Sequence, residues 1–553
     1  MNIKHVGVIF ILTMAAVAGG CGKTESAEPI VTAEITESVS EPVIEIVSDD
    51  KAPETAESMP AALPSDVGIH EECLSLIEDI IETDIQYGFT SAQLAIIKDG
   101  RLVYDNAWGK INAGSDIDVT TDTLYDLASV SKMFGVNYAI QKLVTDGELN
   151  LDEKVTDYLG DRFADDVAEI HYDKGDNPDI ETQKVWKQSL TIKELLMHQG
   201  GFPPDPAYFN PHFDTEAQEY DPEKTNLLFA GNGADEETKN NTIEAICRTP
   251  LLYEPGTRTV YSDVDYMILG LIVEQVTGSD LDTYLKETFC EPMGLKHMTY
   301  KPLEHGFTVD DCAATELHGN TRDGAVYFDG IREYTLQGEV HDEKAYYNMG
   351  GISGHAGLFS NAADLARLAE LMLTGRYEDT VFFSEDVIRE FTMPESDEYK
   401  NWGLGWWRQG DMQRTNYFGS AAREDTFGHP GWTGTLIMTD PEKKLVIAYL
   451  TNKINSPVTD KISDPNKFDG NWYTASTLGF VPEILYIGMD REEPVDDELM
   501  SAALEFKADA EARITKGMPS DHPARRNLES KKEILSHLSD PEGLNGLKNT
   551  DGD

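Results

Sequence analysis

From Ile69 onward the apolar positions Cys73, Leu76, Ile77, Ile80, Ile81 and Ile85 recur at helical spacing, which predicts an amphipathic helix at the start of the folded part. Two β-rich runs follow, Ala92 to Ile97 and Arg101 to Tyr104, joined through Asp99-Gly100, a strong hairpin signal. Far downstream Thr435 to Met438 and Leu445 to Leu450 flank Asp440-Pro441-Glu442-Lys443-Lys444, which predicts a second hairpin. Between these β pieces the pattern is mainly helical and loop-like. One helix is expected from Ser129 through Met133, Phe134, Val136, Ile140 and Leu143 to a stop at Gly147. The order of elements predicts an α+β domain in which the first and last strands share one antiparallel sheet, flanked by helices, with an all-helical subdomain beside it. No internal repeat is evident.

The two ends read differently. Lys4 and His5 precede an apolar run from Val6 to Ala18, short for a membrane span but suited to an export signal. The run ends in Ala18-Gly19-Gly20-Cys21, which resembles a bacterial lipobox and makes Cys21 a candidate for lipidation. Residues 1–20 are therefore expected to be a signal peptide. Residues 21–66, rich in Glu, Ser, Thr, Pro and Ala, are expected to form an acidic disordered tether, because such a segment buries too little to offset its conformational entropy. Residues 67–490 carry the main domain and 491–553 a helical or disordered acidic tail. These readings place the protein on the bacterial cell membrane, facing outward.

Across 553 residues the hydrophobic share is 40% and the charged share 26%, which fits a folded core. The formal charge of −55, from 100 Asp+Glu against 45 Lys+Arg, disfavours nucleic acid as a partner. Beyond Cys21, the residues Cys73, Cys247, Cys290 and Cys312 lack metal-site spacing, and buried free thiols are expected.

Three stretches carry candidate chemistry. In Ser129-Val130-Ser131-Lys132 the serine and lysine lie one helical turn apart, so the amine can reach the hydroxyl. A serine hydroxyl is a poor nucleophile until a neighbour takes its proton, and a lysine does so when its pKa is depressed. Tyr261-Ser262-Asp263 lies on a loop before the apolar helix that begins near Tyr266, and His429-Pro430-Gly431-Trp432 leads into the second hairpin. A Ser-x-x-Lys pair alone is weak, since chance supplies it in a chain this long.

The order of all three resembles the serine β-lactamase and penicillin-binding-protein superfamily in its class C-like branch. The stretches Ala314 to Gly324, His341 to Ala345 and Gly350 to Ser360 narrow the resemblance to the penicillin-binding protein 4B type of D-alanyl-D-alanine carboxypeptidase, across roughly Ile69 to Met489. The resemblance implies that Ser129 is acylated and that Lys132 activates it. It implies that Tyr261 shuttles the proton, its pKa lowered by Lys132 and a second cation. His429 stands where relatives have Lys or His, and the N–H groups of Trp432 and Ser129 form the oxyanion hole, with Gly431 and Asp263 at the substrate. The implied partners are a peptidoglycan stem peptide and, as acylating ligands, β-lactams; neither metal nor cofactor is implied. Muropeptide amidases, esterases and β-lactamases share such a site, and a non-catalytic receptor for wall fragments is the remaining alternative.

Two departures alter these expectations. Asp263 replaces the usual Asn, an acceptor for a donor. Pro430 replaces the usual Thr, removing a hydroxyl and an N–H in a way that fits an open sheet edge. A protonated His429 would then pair with the substrate carboxylate, and activity would fall as pH rises through its pKa. His198 and His355 are expected to be hydrogen-bonded packing groups. The group Glu316, His318, Asp323, His341, Asp342 and Glu343 is expected to be a structural network rather than a metal site.

Overall fold

A computed structural model describes residues 59–489, 518 and 520–525. The signal segment, Cys21, most of the tether and most of the tail lie outside the described residues. Among the described residues no helix is long and apolar enough to cross a membrane.

The chain opens with helix α1 (Glu71–Gln86) and continues into strands β1 (Ser91–Lys98) and β2 (Arg101–Gly109). The short strand β3 (Tyr125–Asp126) precedes the Ser129 turn and helix α2 (Tyr138–Asp146), which ends at Gly147 as its sequence predicts. Helices α3 (Glu236–Arg248) and α4 (Asp263–Thr277) follow, then strands β4 (Met298–Tyr300) and β5 (Leu358–Ser360) and helix α5 (Ala362–Ala369). The C-terminal part holds β6 (Trp407–Arg408), β7 (Phe427–Gly431), β8 (Thr435–Asp440), β9 (Leu445–Thr451) and helix α6 (Phe480–Ile487).

Both expected hairpins form. At the β1–β2 turn Asp99 and Gly100 have φ of 53° and 74°, the left-handed pair that this tight turn requires and that Asp-Gly tolerates. The six-stranded antiparallel sheet has the order β6-β7-β8-β9-β1-β2, so the first and last strands meet, with Ala95 opposite Ala448. A smaller sheet has the order β3-β5-β4.

Strands β1, β8 and β9 read as almost unbroken apolar runs because both faces of the large sheet are covered there. Leu94, Ile96, Met438 and Ile447 meet Ile77 and Ile81 of α1 and Ile484 and Leu485 of α6. Ala95, Ile97, Ile437 and Ala448 face the other way, against Leu365 and Ala366 of α5 and the helical region. That region centres on α4, whose residues Val264 to Val273 are all buried, and a two-residue ladder between Phe213–Asp214 and Glu219–Tyr220 interrupts it. Cys247, Cys290 and Cys312 are buried free thiols, as expected, and Cys73 is buried as well.

Candidate active site

Ser129 stands where the sheet meets the helical region. Its segment is a tight 3-10 turn, Ala128–Val130, that runs into a wide π turn, Lys132–Asn137, before α2 begins. The expected single regular helix is therefore three helical forms in series. Ala128 has a φ of 47°, a left-handed conformation that bulky side chains avoid, and it turns the backbone sharply before the serine. Asp126 holds this elbow: its carboxylate accepts the N–H of Ala128 at 2.9 Å and that of His341 at 2.7 Å.

The end of β7 is tied to the same elbow. Thr433 Oγ1 donates to the Asp126 carbonyl at 2.8 Å, and Thr435 Oγ1 donates to the Leu127 carbonyl at 2.9 Å. Gly431 is needed for this approach, since a Cβ there would lie 2.1 Å from Thr435 Oγ1 and 2.4 Å from the Leu127 oxygen. The fold thereby brings Gly431 and Trp432 beside Ser129. Trp432 is 39% exposed, yet its ring stacks on His341 at 4.8 Å and lies under the Arg322 guanidinium at 5.1 Å. Arg322 is in turn held by Glu316 and Glu343, and Glu316 also bonds His341 at 2.9 Å. Three of the six acidic and histidine residues, Glu316, His341 and Glu343, thus form with Arg322 a network that steadies Trp432, while Asp342 pairs with His355 and Lys344 and His318 with Asp323.

Lys132 is fully buried and has three acceptors for its three protons: Ser129 Oγ at 3.2 Å, Asp263 Oδ1 at 2.8 Å and the His355 carbonyl at 3.1 Å. Burial pulls its pKa down, but the Asp263 carboxylate and the Tyr261 phenol outweigh that and leave it above the ordinary lysine value. The expected depressed lysine is therefore corrected: at rest Lys132 is an ammonium that donates to Ser129. Tyr261 lies with its ring 4.8 Å from Lys132 Nζ, and both Lys132 and Ser129 are within reach of its phenol. Burial raises its pKa more than Lys132 lowers it, so the expected acidic phenol is corrected as well.

The carboxylate of Asp263 is itself held ionised by a residue that sequence reasoning did not assign. Lys344 lies 3.1 Å from Asp263 Oδ2, so Asp263 bridges two buried ammonium groups. Burial raises the Asp263 pKa, but Lys132, Lys344 and His355 outweigh it and hold the carboxyl well below the usual range. Lys344 also pairs with Asp205 and, at 3.9 Å, with Asp342. The only hint in the sequence was its place in the His341 to Ala345 stretch. Asp263, Asp342 and His355 lie close enough to hold a cation, but both carboxylates already face lysines.

His429 is buried and its pKa falls to about 3, through burial first and then the Lys132 charge. Its Nδ1 donates to the Pro430 carbonyl at 2.7 Å, and its bare Nε2 has no hydrogen-bond partner among the described residues. The expected protonated His429 is corrected: it is a neutral imidazole across pH 5 to 8. Pro430 does lie on an open stretch, because β6 pairs with β7 only at Phe427 and Gly428.

The other histidines serve packing. His198 stacks on Tyr261 at 4.4 Å and bonds Asp265 at 3.0 Å, while His355 bridges Ser353 and Asp342, each at 2.8 Å. A cleft of about 400 Å³ opens beside Ser129, with Tyr261, Trp407, Tyr417, His429, Trp432 and Lys453 on its walls. Trp406 is core and Trp407 is cleft wall. A serine–lysine–tyrosine corner with its lysine buried, next to such a cleft, can carry acyl transfer through serine.

Comparison with known proteins agrees with this geometry. The beta-lactamase family model matches residues 75–470. A relative from Escherichia coli (strain K12), named "Putative D-alanyl-D-alanine carboxypeptidase", is 41% identical over 454 residues, covering 81% of this chain and 96% of its own. Among solved structures, EstCE1, described as a hydrolase with promiscuous acyltransferase activity, superposes with a TM-score of 0.53 at 20% identity, covering 74% of this chain and 99% of its own. A penicillin-binding protein homolog from Caulobacter crescentus gives 0.50 at 19% identity, covering 76% and 99%. These two structures share the fold.

Proposed function

This chain belongs to the beta-lactamase family of serine hydrolases, and from that premise we propose that it is a D-alanyl-D-alanine carboxypeptidase acting on peptidoglycan stem peptides through an acyl-enzyme on Ser129. The observation that carries the reading is the three-acceptor seat of Lys132, which ties Ser129, Asp263 and the His355 backbone into one corner. The relative's name supplies the substrate class.

In the resting site both Lys132 and Tyr261 hold their protons, so the reactive form is the one in which this pair has lost one proton. Ser129 Oγ then attacks the carbonyl of the penultimate D-alanine, and its proton passes to the pair. The N–H groups of Ser129 and Trp432 bind the oxyanion, each worth about 3 kcal/mol of barrier. The pair returns the proton to the departing nitrogen, the C–N bond breaks, D-alanine leaves and an ester remains on Ser129. Water next yields a proton to the pair and attacks the ester carbonyl; the C–O bond breaks and Ser129 recovers its proton. Asp263 holds Lys132 in place and keeps it charged at rest. The bare Nε2 of His429 accepts a hydrogen bond from the bound substrate. β-Lactams would acylate the same oxygen.

The proposal extends to location: lipid on Cys21 would hold the domain at the outer face of a bacterial membrane through the 21–66 segment. Cys21→Ala should release the protein into the soluble fraction, and retention on membranes would refute the anchor. For the reaction, mass spectrometry of pentapeptide-bearing muropeptides incubated with the protein should show loss of one alanine. Release of intact peptide from the sugar would overturn the carboxypeptidase reading in favour of amidase action.

A further inference from the structure

The cleft beside Ser129 has an electrostatic character opposite to that of the chain. Acidic residues outnumber basic ones by 100 to 45, yet among the described residues no Asp or Glu lines this cleft, and the single charged residue lining it is Lys453. Thr435 pairs with Gly431 on one side and Leu450 on the other, so β7 and β9 end at the same edge of the sheet. Lys453 follows that edge two residues after β9 and enters the cleft beside the Gly431–Trp432 turn. Its stem runs over Gly434, where a Cβ would lie 3.0 Å from Lys453 Cγ and 3.3 Å from Cδ.

Lys132 and Lys344 are saturated with acceptors, whereas the half-buried Lys453 ammonium has no hydrogen bond or ion pair among the described residues. A cation held partly out of water without a partner is poorly solvated and gains strongly from an anion that supplies one. Burial lowers its pKa to about 8, and no carboxylate among the described residues lifts it back. The strand itself offers no anion receptor, since His429 is neutral and Pro430 has no hydroxyl or N–H to donate.

We propose that Lys453 is the receptor for a carboxylate on the leaving group of the substrate, which in the reading above is the C-terminal carboxylate of the acyl-D-alanyl-D-alanine chain. The inference deepens that reading and rests on its acyl-transfer step.

Two aryl esters with the same acyl group test it, one leaving as phenol and the other as 3-hydroxybenzoate. The full-length protein should prefer the carboxylated ester by about tenfold or more in kcat/KM, with the difference in KM, the size expected of one charge-assisted contact. Lys453→Met should remove the preference and Lys453→Arg should keep most of it. A wild-type protein indifferent to the carboxylate, or a Lys453→Met protein that keeps the preference, overturns the inference. Preference for the carboxylated ester without release of D-alanine from acyl-D-Ala-D-Ala would overturn the carboxypeptidase reading and leave the role of Lys453 standing. Failure on both esters would overturn both.

Discussion

The two sides of the cleft are built on opposite principles. On the Ser129 side, charge is buried and answered: Lys132 has three acceptors, Asp263 bridges two lysines, and His355 bridges Ser353 and Asp342. On the β7 side, Trp407, Tyr417 and Trp432 form an aromatic wall with a cation, Lys453, that has no partner among the described residues. The first side is complete before substrate arrives, which is how a site pre-organises chemistry. The second leaves its strongest interaction open, which is how a site recognises a ligand. Substitutions on the first side should therefore cost rate and stability, and those on the second should cost selectivity.

The largest effect is expected at the oxygen itself. Ser129→Ala should lower acyl transfer about ten-thousandfold or more while the protein stays folded, as read by steady-state rates beside circular dichroism. Retained turnover would mean that the corner is structural.

Asp263→Asn comes next, because it leaves two buried ammonium groups facing an amide. Loss of one partner from a buried pair costs about 3–5 kcal/mol, to be read from denaturant unfolding. Without the carboxylate that raises it, the Lys132 pKa should fall. Since the reactive form lacks one proton, activity on an uncharged ester should rise with pH in the wild type, and the rise should begin at lower pH in Asp263→Asn. An unchanged profile would sever Asp263 from Lys132.

Gly431→Ala tests the tie between the two sides. A methyl group at 2.1 Å from Thr435 Oγ1 and 2.4 Å from the Leu127 oxygen forces the strand away from the elbow, at about 1–3 kcal/mol of stability. Acylation should slow with it, because the Trp432 N–H moves.

The smallest effect concerns His429. With a pKa near 3 the ring is already neutral at pH 5, so neither rate nor substrate binding should show a step from this residue between pH 5 and 8. A fall in activity across a pKa near 6.5 that disappears in His429→Asn would contradict the neutral imidazole.

Much of this was legible in the sequence, where a local rule sufficed. Asp99-Gly100 and Asp440 to Lys444 named their hairpins, and the β-rich runs on either side named their strands. Ser129, Lys132, Tyr261 and His429 were recognisable by their order along the chain. The protonation states were not legible, because they depend on burial and on the Asp263 carboxylate, which Lys344 helps to hold ionised only after folding. The free state of Lys453 was equally hidden. It follows from what does not surround it, a property of the folded wall rather than of Asn452-Lys453-Ile454 as a string.

The most direct test is to stop the protein with acid during turnover of an acyl-D-Ala-D-Ala peptide and map the adduct by mass spectrometry. The account predicts the acyl-D-alanyl group as an ester on the peptide that carries Ser129. Continued release of D-alanine with no ester at Ser129, under conditions that trap such esters, would contradict it.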